Sequence, residues 1–260
     1  MVRRFFHQSW LYFKGANRAF NIEEFAFFQI MYPLVTLIFY VLLAAYSFNA
    51  TNLTRWVVGN SFLLCVNIAL FTLGQAFNME RYLGRLRSII ASPMSKLATI
   101  LQKALFPVLV AIITVIIGFI AGSLIFDIPF TEINMGLMLV VIATSMFAAI
   151  GLGLLMAALS LLTDSMHLVL NTMYYVLMIF CGANFPVAQL PVWGRVVSRI
   201  LPLTRGIEAG NLLFEGFQSS EFIKLLLGEF AIGAVFFAAS YWVLKFAERA
   251  AIKRASLEMF

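Results

Sequence analysis

Long apolar runs alternate with short polar stretches along most of the chain. Six of these runs are long enough to cross a membrane as helices, because about 20 apolar residues are needed to span about 30 Å of hydrocarbon. The runs cover residues 27–48, 56–77, 105–126, 135–162, 168–185 and 222–246. The pattern therefore predicts an all-α polytopic membrane protein with six transmembrane helices.

The first 26 residues have a different pattern, with large aromatic side chains on one helical stripe and basic or polar side chains on the other. The aromatic stripe contains Phe5, Phe6, Trp10, Phe13 and Phe20, and the opposite stripe contains Arg3, Arg4, Gln8, Lys14, Arg18 and Asn21. Such a distribution is typical of a helix that lies in the headgroup layer. We therefore predict an N-terminal amphipathic interfacial helix over residues 1–26.

Residues 78–103 form the one long charged segment between two apolar runs in the first half of the chain. Its charged residues are Glu80, Arg81, Arg85, Arg87, Lys96 and Lys103. A single helix here places Arg81 and Arg85 on one face, and Pro93 ends it because the residue before a proline disfavours helical geometry. Ser95 is then suited to cap the next helix. Two interpretations remain open: an amphipathic helix at the membrane surface, or an ordinary basic cytoplasmic loop.

Residues 186–221 are too polar to cross the membrane as one helix. Two short helices are predicted within them, over 192–200 and 204–214, with Pro202 between them. We expect this pair on the outer face, either dipping into the membrane as re-entrant helices or packing as a surface loop. The chain ends in a charged cytoplasmic tail over residues 247–260.

The composition supports one membrane domain over residues 1–260, with the first five spans within 27–185. Hydrophobic residues make up 62% of the chain and charged residues only 12%, whereas soluble domains carry about 25% charged residues. With both termini in the cytoplasm, 13 of the 18 lysines and arginines fall on the cytoplasmic side and five on the outer side. This asymmetry follows the positive-inside rule, so the net charge of +6 does not indicate a nucleic-acid partner.

Amide side chains make the second run the most polar of the six. They are Asn60, Asn67, Gln75 and Asn78. Because such a stripe is not stable against lipid, two interpretations are open. The amides hold helices together within the bundle, as small and polar residues commonly do, or they line a substrate path or subunit interface.

Ionisable residues are nearly absent from the centres of the runs, and His7 and His167 lie outside them. Ion-coupled carriers need charged groups within the membrane, so the pattern argues against a proton-driven carrier, an intramembrane protease and a metalloenzyme. Cys65 and Cys181 lie in apolar runs as small hydrophobic residues. No catalytic, cofactor-binding or metal-binding residue is therefore predicted.

Two motifs and the helix layout indicate a known family. Residues 80–86 read ERYLGRL and residues 91–95 read ASPMS, directly after the second run. Residues 201–209 read LPLTRGIEA and are followed by Leu212 and Leu213, before the last run. In these motifs, and in the order of amphipathic helix, six spans and broken outer segment, the chain resembles the permease subunits of type-2 ABC exporters. By its LPLTRGIEA segment it resembles the bacterial drug and antimicrobial-peptide exporters more than the glycan exporters of this family.

The resemblance implies that residues 84–95 form a coupling helix that fits into a groove of a separate cytoplasmic ATPase. The implied ATPase contacts are Glu80, Gly84, Arg85, Arg87, Ser92, Pro93 and Ser95, with Asp164 in the turn 163–167 as a second contact. The chain itself is then non-catalytic. ATP and Mg²⁺ are bound by the partner, in agreement with the lack of a G-x-x-x-x-G-K-[ST] phosphate loop.

The same resemblance implies a dimer of permeases with two ATPase subunits in the bacterial cytoplasmic (inner) membrane. The expected function is export of an amphipathic drug, an antimicrobial peptide or a lipid-like molecule. An ATP-independent membrane carrier and a membrane scaffold or sensor remain the alternatives.

Overall fold

The computed structural model describes residues 2–16, 23–24, 27, 31–50, 52–91, 96–129, 133–163 and 165–253, and all regular structure in them is helical. The helices are α1 (Val2–Ala16), α2 (Tyr32–Phe48), α3 (Thr54–Gly74), α4 (Ala76–Tyr82), α5 (Leu86–Ala91), α6 (Lys96–Phe126), α7 (Met135–Leu159), α8 (Met166–Phe180), α9 (Val192–Ile200), α10 (Thr204–Glu215) and α11 (Ser219–Lys253). A short 3₁₀ turn, Val187–Gln189, precedes α9. The prediction of an all-helical fold is confirmed.

Four helices in the described part of the chain are long and apolar enough to cross a membrane. Their apolar stretches are Thr54–Gly74, Leu97–Phe126, Met135–Leu159 and Ser219–Ala247. The helices α2 and α8 are also apolar but have only 17 and 15 residues, which corresponds to about 25 and 22 Å. The chain is thus a multi-pass membrane protein, while the count of six spans stays a prediction.

Several helices begin or end away from the predicted bounds. The helix α6 begins at Lys96, nine residues before the predicted third span, and continues through Pro107. The helix α8 ends at Phe180 and not at residue 185, and α11 extends beyond 222–246 at both ends. Hydropathy marks the apolar length of a span, whereas helical hydrogen bonding in α6 and α11 continues into polar residues. The helix α8 is shorter because it stops before Gly182, whose φ of +85° is left-handed. The predicted N-terminal helix is observed over Val2–Ala16, and residues 17–22 and 25–26 lie outside the described part.

The helix α3 lies at the centre of the bundle, where it packs against α2, α6, α7, α8 and α10. Its side chains are largely buried, including those of Phe62, Leu63 and Leu70. The ring of Phe62 meets Phe119 of α6 edge-on, with 5.9 Å between the ring centroids. Burial on nearly all sides is typical of a core helix, and the polar side chains of Asn60 and Ser61 are buried in it as well. The charged helices α4 and α5, which follow α3 directly, are therefore attached to the most buried helix.

The helices α7 and α11 form the most extensively packed pair. Phe147 of α7 stacks on Phe230 and Phe237 of α11, with ring centroids 4.8 and 4.7 Å apart. Gly151 and Gly233 lie on the same interface, and a Cβ added to Gly151 would be only 2.9 Å from the Gly233 carbonyl oxygen. Small residues allow helix backbones to approach this closely within a membrane.

The helices α9 and α10 form where two short helices were predicted. The bounds of α9 match the prediction at both ends, and α10 ends one residue later than predicted. The two helices are joined by hydrogen bonds across the turn between them. The hydroxyl of Thr204 donates to the Ser198 carbonyl at 2.7 Å, and the Arg205 guanidinium donates to the Arg199 carbonyl at 2.8 Å. Their position on the outer face stays a prediction.

Candidate functional site

The charged segment after α3 folds as two short helices, so the prediction of a single amphipathic helix is wrong. After Tyr82 the chain turns through Gly84, whose φ of +67° is left-handed. The Gly84 N–H donates to the Arg81 carbonyl and the Arg85 N–H to the Glu80 carbonyl, both at 2.9 Å, which is a Schellman motif. The turn separates Arg81, which is 3% exposed, from Arg85, whose side chain is 58% exposed. The two arginines therefore do not share one face.

The carboxylate of Glu80 is 3% exposed and is the centre of a group of charged side chains. Lys103 Nζ lies 2.6 Å from Glu80 Oε1, and Arg85 Nε lies 2.9 Å from Glu80 Oε2. The Tyr12 hydroxyl donates to Glu80 Oε1 at 3.3 Å, and Lys103 Nζ lies 4.6 Å from the centroid of the Tyr12 ring. We call these four residues the Glu80 cluster. They come from α1, α4, the turn after α4, and α6, so the cluster connects α4 to two other helices.

Tyr12 fixes the amphipathic helix α1 to this cluster. Burial, together with the negative charge of Glu80, raises the pKa of Tyr12 to about 12. The phenol is therefore protonated at neutral pH and donates a hydrogen bond to the carboxylate. Two further rings of α1, Trp10 and Phe13, lie 5.3 and 5.6 Å from the ring of Phe106 in α6. The helix α1 is thus held on the start of α6 by both polar and aromatic contacts.

The charges of the Glu80 cluster compensate one another. A buried carboxylate is stable only with well-placed partners, because its removal from water costs several kcal/mol. Glu80 has two cations and one hydroxyl as partners, and Lys103 also donates to the Ala76 carbonyl at 3.3 Å. Loss of the carboxylate therefore leaves Lys103 and Arg85 as neighbouring cations with no acid between them.

Arg81 connects α4 to the end of α7. Its Nη2 lies 2.7 Å from the carbonyl oxygen of Leu161, and its Nη1 lies 3.4 Å from that of Thr163. These carbonyls follow the C-terminus of α7, where the helix dipole favours a positive charge. The turn between α7 and α8 is thereby attached to α4, next to the Glu80 cluster.

An open groove of about 500 Å³ lies beside the Glu80 cluster. It is lined by Gln8, Tyr12, Glu80, Arg85, Ser88, Ile89, Thr99, Gln102 and Lys103. The Gln102 side chain donates to the Gln8 side chain at 3.1 Å and so joins α6 to α1 here as well. Because Arg85 and Ser88 are exposed, the groove and the start of α5 are accessible to another protein.

Comparison with known proteins identifies the family. The sequence profile described as ABC-2 type transporter matches residues 8–213. The chain belongs to the ABC-2 type transporter family. No curated protein is a significant match to it. Membrane domains of this family are permease components of transporters, are not catalytic themselves, and generally work with an ATP-binding subunit. The match begins in α1 and ends in α10, so it includes the whole Glu80 cluster.

The resemblance to the ABC-2 permeases is therefore confirmed, and the structure places half of the predicted ATPase contacts. Glu80 is buried in its cluster, Gly84 forms the turn, Arg85 is exposed beside it, and Arg87 lies on α5. Ser92, Pro93, Ser95 and Asp164 lie outside the described residues. Contact of any of these residues with an ATPase stays a prediction.

The amide side chains in and after α3 of this ABC-2 permease differ in burial and in their contacts. Asn60 is buried and donates to the Trp56 carbonyl at 2.9 Å and to the Asn184 side chain at 3.1 Å. The indole of Trp56 donates to the Asn184 carbonyl at 3.1 Å. Asn60 thus joins α3 to the segment after α8. Asn67, Gln75 and Asn78 are half-buried, with Asn67 next to the hydroxyl of Tyr174, and their part in a substrate path stays a prediction.

Sequence reasoning missed the partners of Glu80 and the role of Arg81. Lys103 was recognised only as one of several positive charges, and Tyr12 is on neither of the predicted stripes of the N-terminal helix. The available signal was a single acid, Glu80, among five basic residues. A single acid among basic residues indicates that it neutralises some of them. Local periodicity, however, cannot identify a partner such as Tyr12, which is 68 residues away.

We expect replacement of Arg81 by methionine to release the turn between α7 and α8 from α4. Methionine occupies similar space but cannot donate to the carbonyls of Leu161 and Thr163. Each hydrogen bond from a charged group contributes about 1.5–3 kcal/mol. The turn and the charged segment should then move independently, while the apolar helices stay folded.

The measurement is the distance between spin labels at the exposed positions Ser88 and His167 in a cysteine-free background. We expect Arg81→Met to broaden the distance distribution about twofold, since local opening follows the loss of buried hydrogen bonds. The matched control is Arg85→Met, which removes an exposed arginine of the same segment and should leave the distribution unchanged. A distribution as narrow for Arg81→Met as for the parent chain would contradict the connection.

Proposed function

We propose that this chain is the transmembrane subunit of an ABC exporter. It moves an amphipathic substrate, such as a drug, an antimicrobial peptide or a lipid-like molecule, out of the cell. The energy comes from ATP, bound with Mg²⁺ by a separate cytoplasmic ATPase. The observation that supports this most is the Glu80 cluster, a group of charges around a buried carboxylate that joins the exposed segment at Gly84 and α5 to α1 and α6.

The proposed mechanism is mechanical. The ATPase contacts the turn at Gly84 and the exposed side of α5, and its closure on ATP displaces this segment. The displacement reaches α6 through Lys103 and α1 through Tyr12. It reaches the end of α7 through Arg81. The contacts of Lys103 and Arg81 are short and buried, and that of Tyr12 is longer and half-buried, so α6 and the end of α7 follow the segment most closely.

The substrate class is suggested by the exposed side of α8. Asn171, Thr172 and Tyr175 are exposed in the middle of this apolar helix. Polar side chains at such depth are not stable against lipid, so this side faces either a path or another protein. An amide, a hydroxyl and a phenol among apolar residues can bind the polar part of an amphipathic molecule without a fixed charge.

We place a second copy of the chain against this side of α8. Tyr40 of α2 lies near Tyr175, and α2 continues the surface with the exposed side chains of Tyr32, Phe39 and Tyr46. Two copies related by a two-fold axis then cover both surfaces at once. The complex contains two permeases and two ATPases, and the substrate path lies between the permeases.

We place the complex in the bacterial cytoplasmic membrane with both termini in the cytoplasm. The distribution of lysine and arginine supports this orientation. It puts the Glu80 cluster and the groove beside it on the cytoplasmic side, within reach of the ATPase. It puts α9 and α10 on the outer side, where the substrate leaves.

Purification of the tagged full chain from its host in mild detergent tests the proposal. We expect an ATPase subunit to copurify in about equal amounts, because the family works with an ATP-binding subunit. The purified complex should hydrolyse ATP, and inside-out vesicles should take up a fluorescent amphipathic compound only when ATP is added. A chain that purifies alone, and that binds no ATPase of its host, would favour the ATP-independent carrier or the scaffold.

A further inference from the structure

The bend between α9 and α10 lies deep inside the bundle. The start of α10 touches α7, since a Cβ added to Gly206 would collide with the hydroxyl of Ser145. It touches α11 through Leu203, whose N–H donates to Glu229. Ser145 and Glu229 each lie ten residues inside their helices, which is about 15 Å from the helix start. That depth is about half of a 30 Å hydrocarbon core.

The other end of α10 lies at the edge of the bundle. Leu213 and Phe214 line a cavity of about 430 Å³ together with Leu53, at the start of α3, and Phe126, the last residue of α6. The helix α10 therefore extends from the middle of the bundle to its edge. With α9, it forms a hairpin of two half-length helices.

A helix that starts inside a membrane has a physical problem. Its first N–H groups have no partner within the helix, and no bulk water reaches them there. Glu229 is 0% exposed, and its Oε1 accepts the N–H of Leu203 at 2.6 Å. The backbone of Arg205 and Gly206 also lies close to this side chain, whose Oε2 is buried without a hydrogen-bond partner among the described residues. An acid at a helix N-terminus is further favoured by the helix dipole.

We propose that Glu229 is a positioning residue, which anchors the bend of the α9–α10 hairpin to α11 and supplies the acceptor that allows the chain to turn inside the membrane. Leu203 has a φ of +77° at this bend, a conformation that a leucine adopts only when its surroundings hold it. Hydrogen bonds from Thr204 to Ser198 and from Arg205 to Arg199 complete the bend. The hairpin and α11 therefore move as one body.

One consequence rests on the proposed function: the outer end of the substrate path then moves together with α11, the last span. The anchor itself does not depend on that function. Its test therefore uses the chain alone, and a failure of the test leaves the exporter proposal unaffected.

The test is hydrogen exchange, measured by mass spectrometry, of the full chain in lipid nanodiscs. In Glu229→Leu the acceptor is lost at nearly constant volume, so amides 203–206 should exchange roughly tenfold faster. Glu229→Gln keeps a carbonyl acceptor of the same length and should stay within about threefold of the parent chain. Glu229→Asp has a side chain one methylene shorter, so its exchange rate at these amides should be closer to that of the leucine variant. Glu221→Gln, an exposed change on the same helix, should have no effect.

Two outcomes would overturn the anchor. One is equal exchange of amides 203–206 in the parent chain and in Glu229→Leu. The other is faster exchange that spreads evenly over α7 and α11 in Glu229→Leu and in Glu229→Gln alike, because a general loss of packing then explains it. Recovery by glutamine, limited to the bend, supports the anchor.

Discussion

Replacing Glu80 with lysine is expected to abolish ATP-driven transport while the apolar helices stay folded. The new ammonium group lies in a buried site beside Lys103 and Arg85, so the cluster holds three cations and no acid. Breaking a buried ion pair costs about 3–5 kcal/mol, and the chain relieves this by moving α4 away from α6. We expect transport into inside-out vesicles to fall below about a tenth of the parent value. ATP hydrolysis should no longer respond to substrate.

Arg85→Lys is the matched control for this change. It keeps a cation beside the same carboxylate and on the surface where we propose that the ATPase binds, and exposed ion pairs contribute only about 0.2–1 kcal/mol. Transport should therefore stay above about half of the parent value. The exchanged pair Glu80→Lys with Lys103→Glu restores one buried ion pair and should recover part of the activity. Parental transport by a well-expressed Glu80→Lys protein would show that the cluster does not carry the coupling.

Replacing Gly84 with proline is expected to separate ATP hydrolysis from transport. Proline fixes φ near −65°, whereas the turn needs +67°. Proline also removes the N–H that donates to the Arg81 carbonyl. The turn between α4 and α5 therefore cannot form, and α5 no longer lies where we propose that the ATPase contacts it. The measurement is the number of substrate molecules transported per ATP hydrolysed. A misplaced proline destabilises the local structure by about 3 kcal/mol, so we expect this number to fall at least about tenfold.

Gly84→Asn is the control, because asparagine tolerates the left-handed conformation better than other residues with a side chain. Within the described residues, no atom lies within 4 Å of a Cβ added to Gly84, so a side chain at this position meets no obstacle there. The asparagine variant should couple nearly as well as the parent chain, and Gly84→Ala should lie between the two, since the left-handed conformation costs about 1–2 kcal/mol. Equal coupling in the proline and asparagine variants would exclude a role for the turn.

The elements that were predicted well are those with local signals at both ends. The helix α9 matches the predicted bounds because Pro191 precedes it and Leu201 and Pro202 follow it. The break at Gly84 was missed, although the glycine is visible in the sequence. A glycine inside a helix costs only about 1 kcal/mol, so periodicity alone favours an uninterrupted helix. Tertiary contacts of Arg81 and Glu80 stabilise the break instead.

At the candidate site, too, local sequence signals predicted the segment but not its contacts with distant residues. The charged segment was recognised from its composition, and its residues, Glu80 included, were predicted from the family resemblance as contacts for a partner. The burial of Glu80 and Arg81 was not predicted, because each is neutralised by groups far away in the sequence: Tyr12, Lys103 and the carbonyls after α7. Glu229 lies within the last apolar run, and the structure shows it buried against α10.

The packing of α7 on α11 has a consequence for biosynthesis. The ribosome completes α7 60 residues before it begins α11, which at 5–20 residues per second is a delay of about 3–12 s. During this time Phe147 and Gly151 lack their contacts with α11. The N–H groups at the start of α10 lack their acceptor, Glu229. The helix bundle is complete only when the last helix, α11, enters the membrane. Synthesis that stops before α11 thus leaves a product that membrane quality control can recognise by its uncovered glycine and aromatic surface.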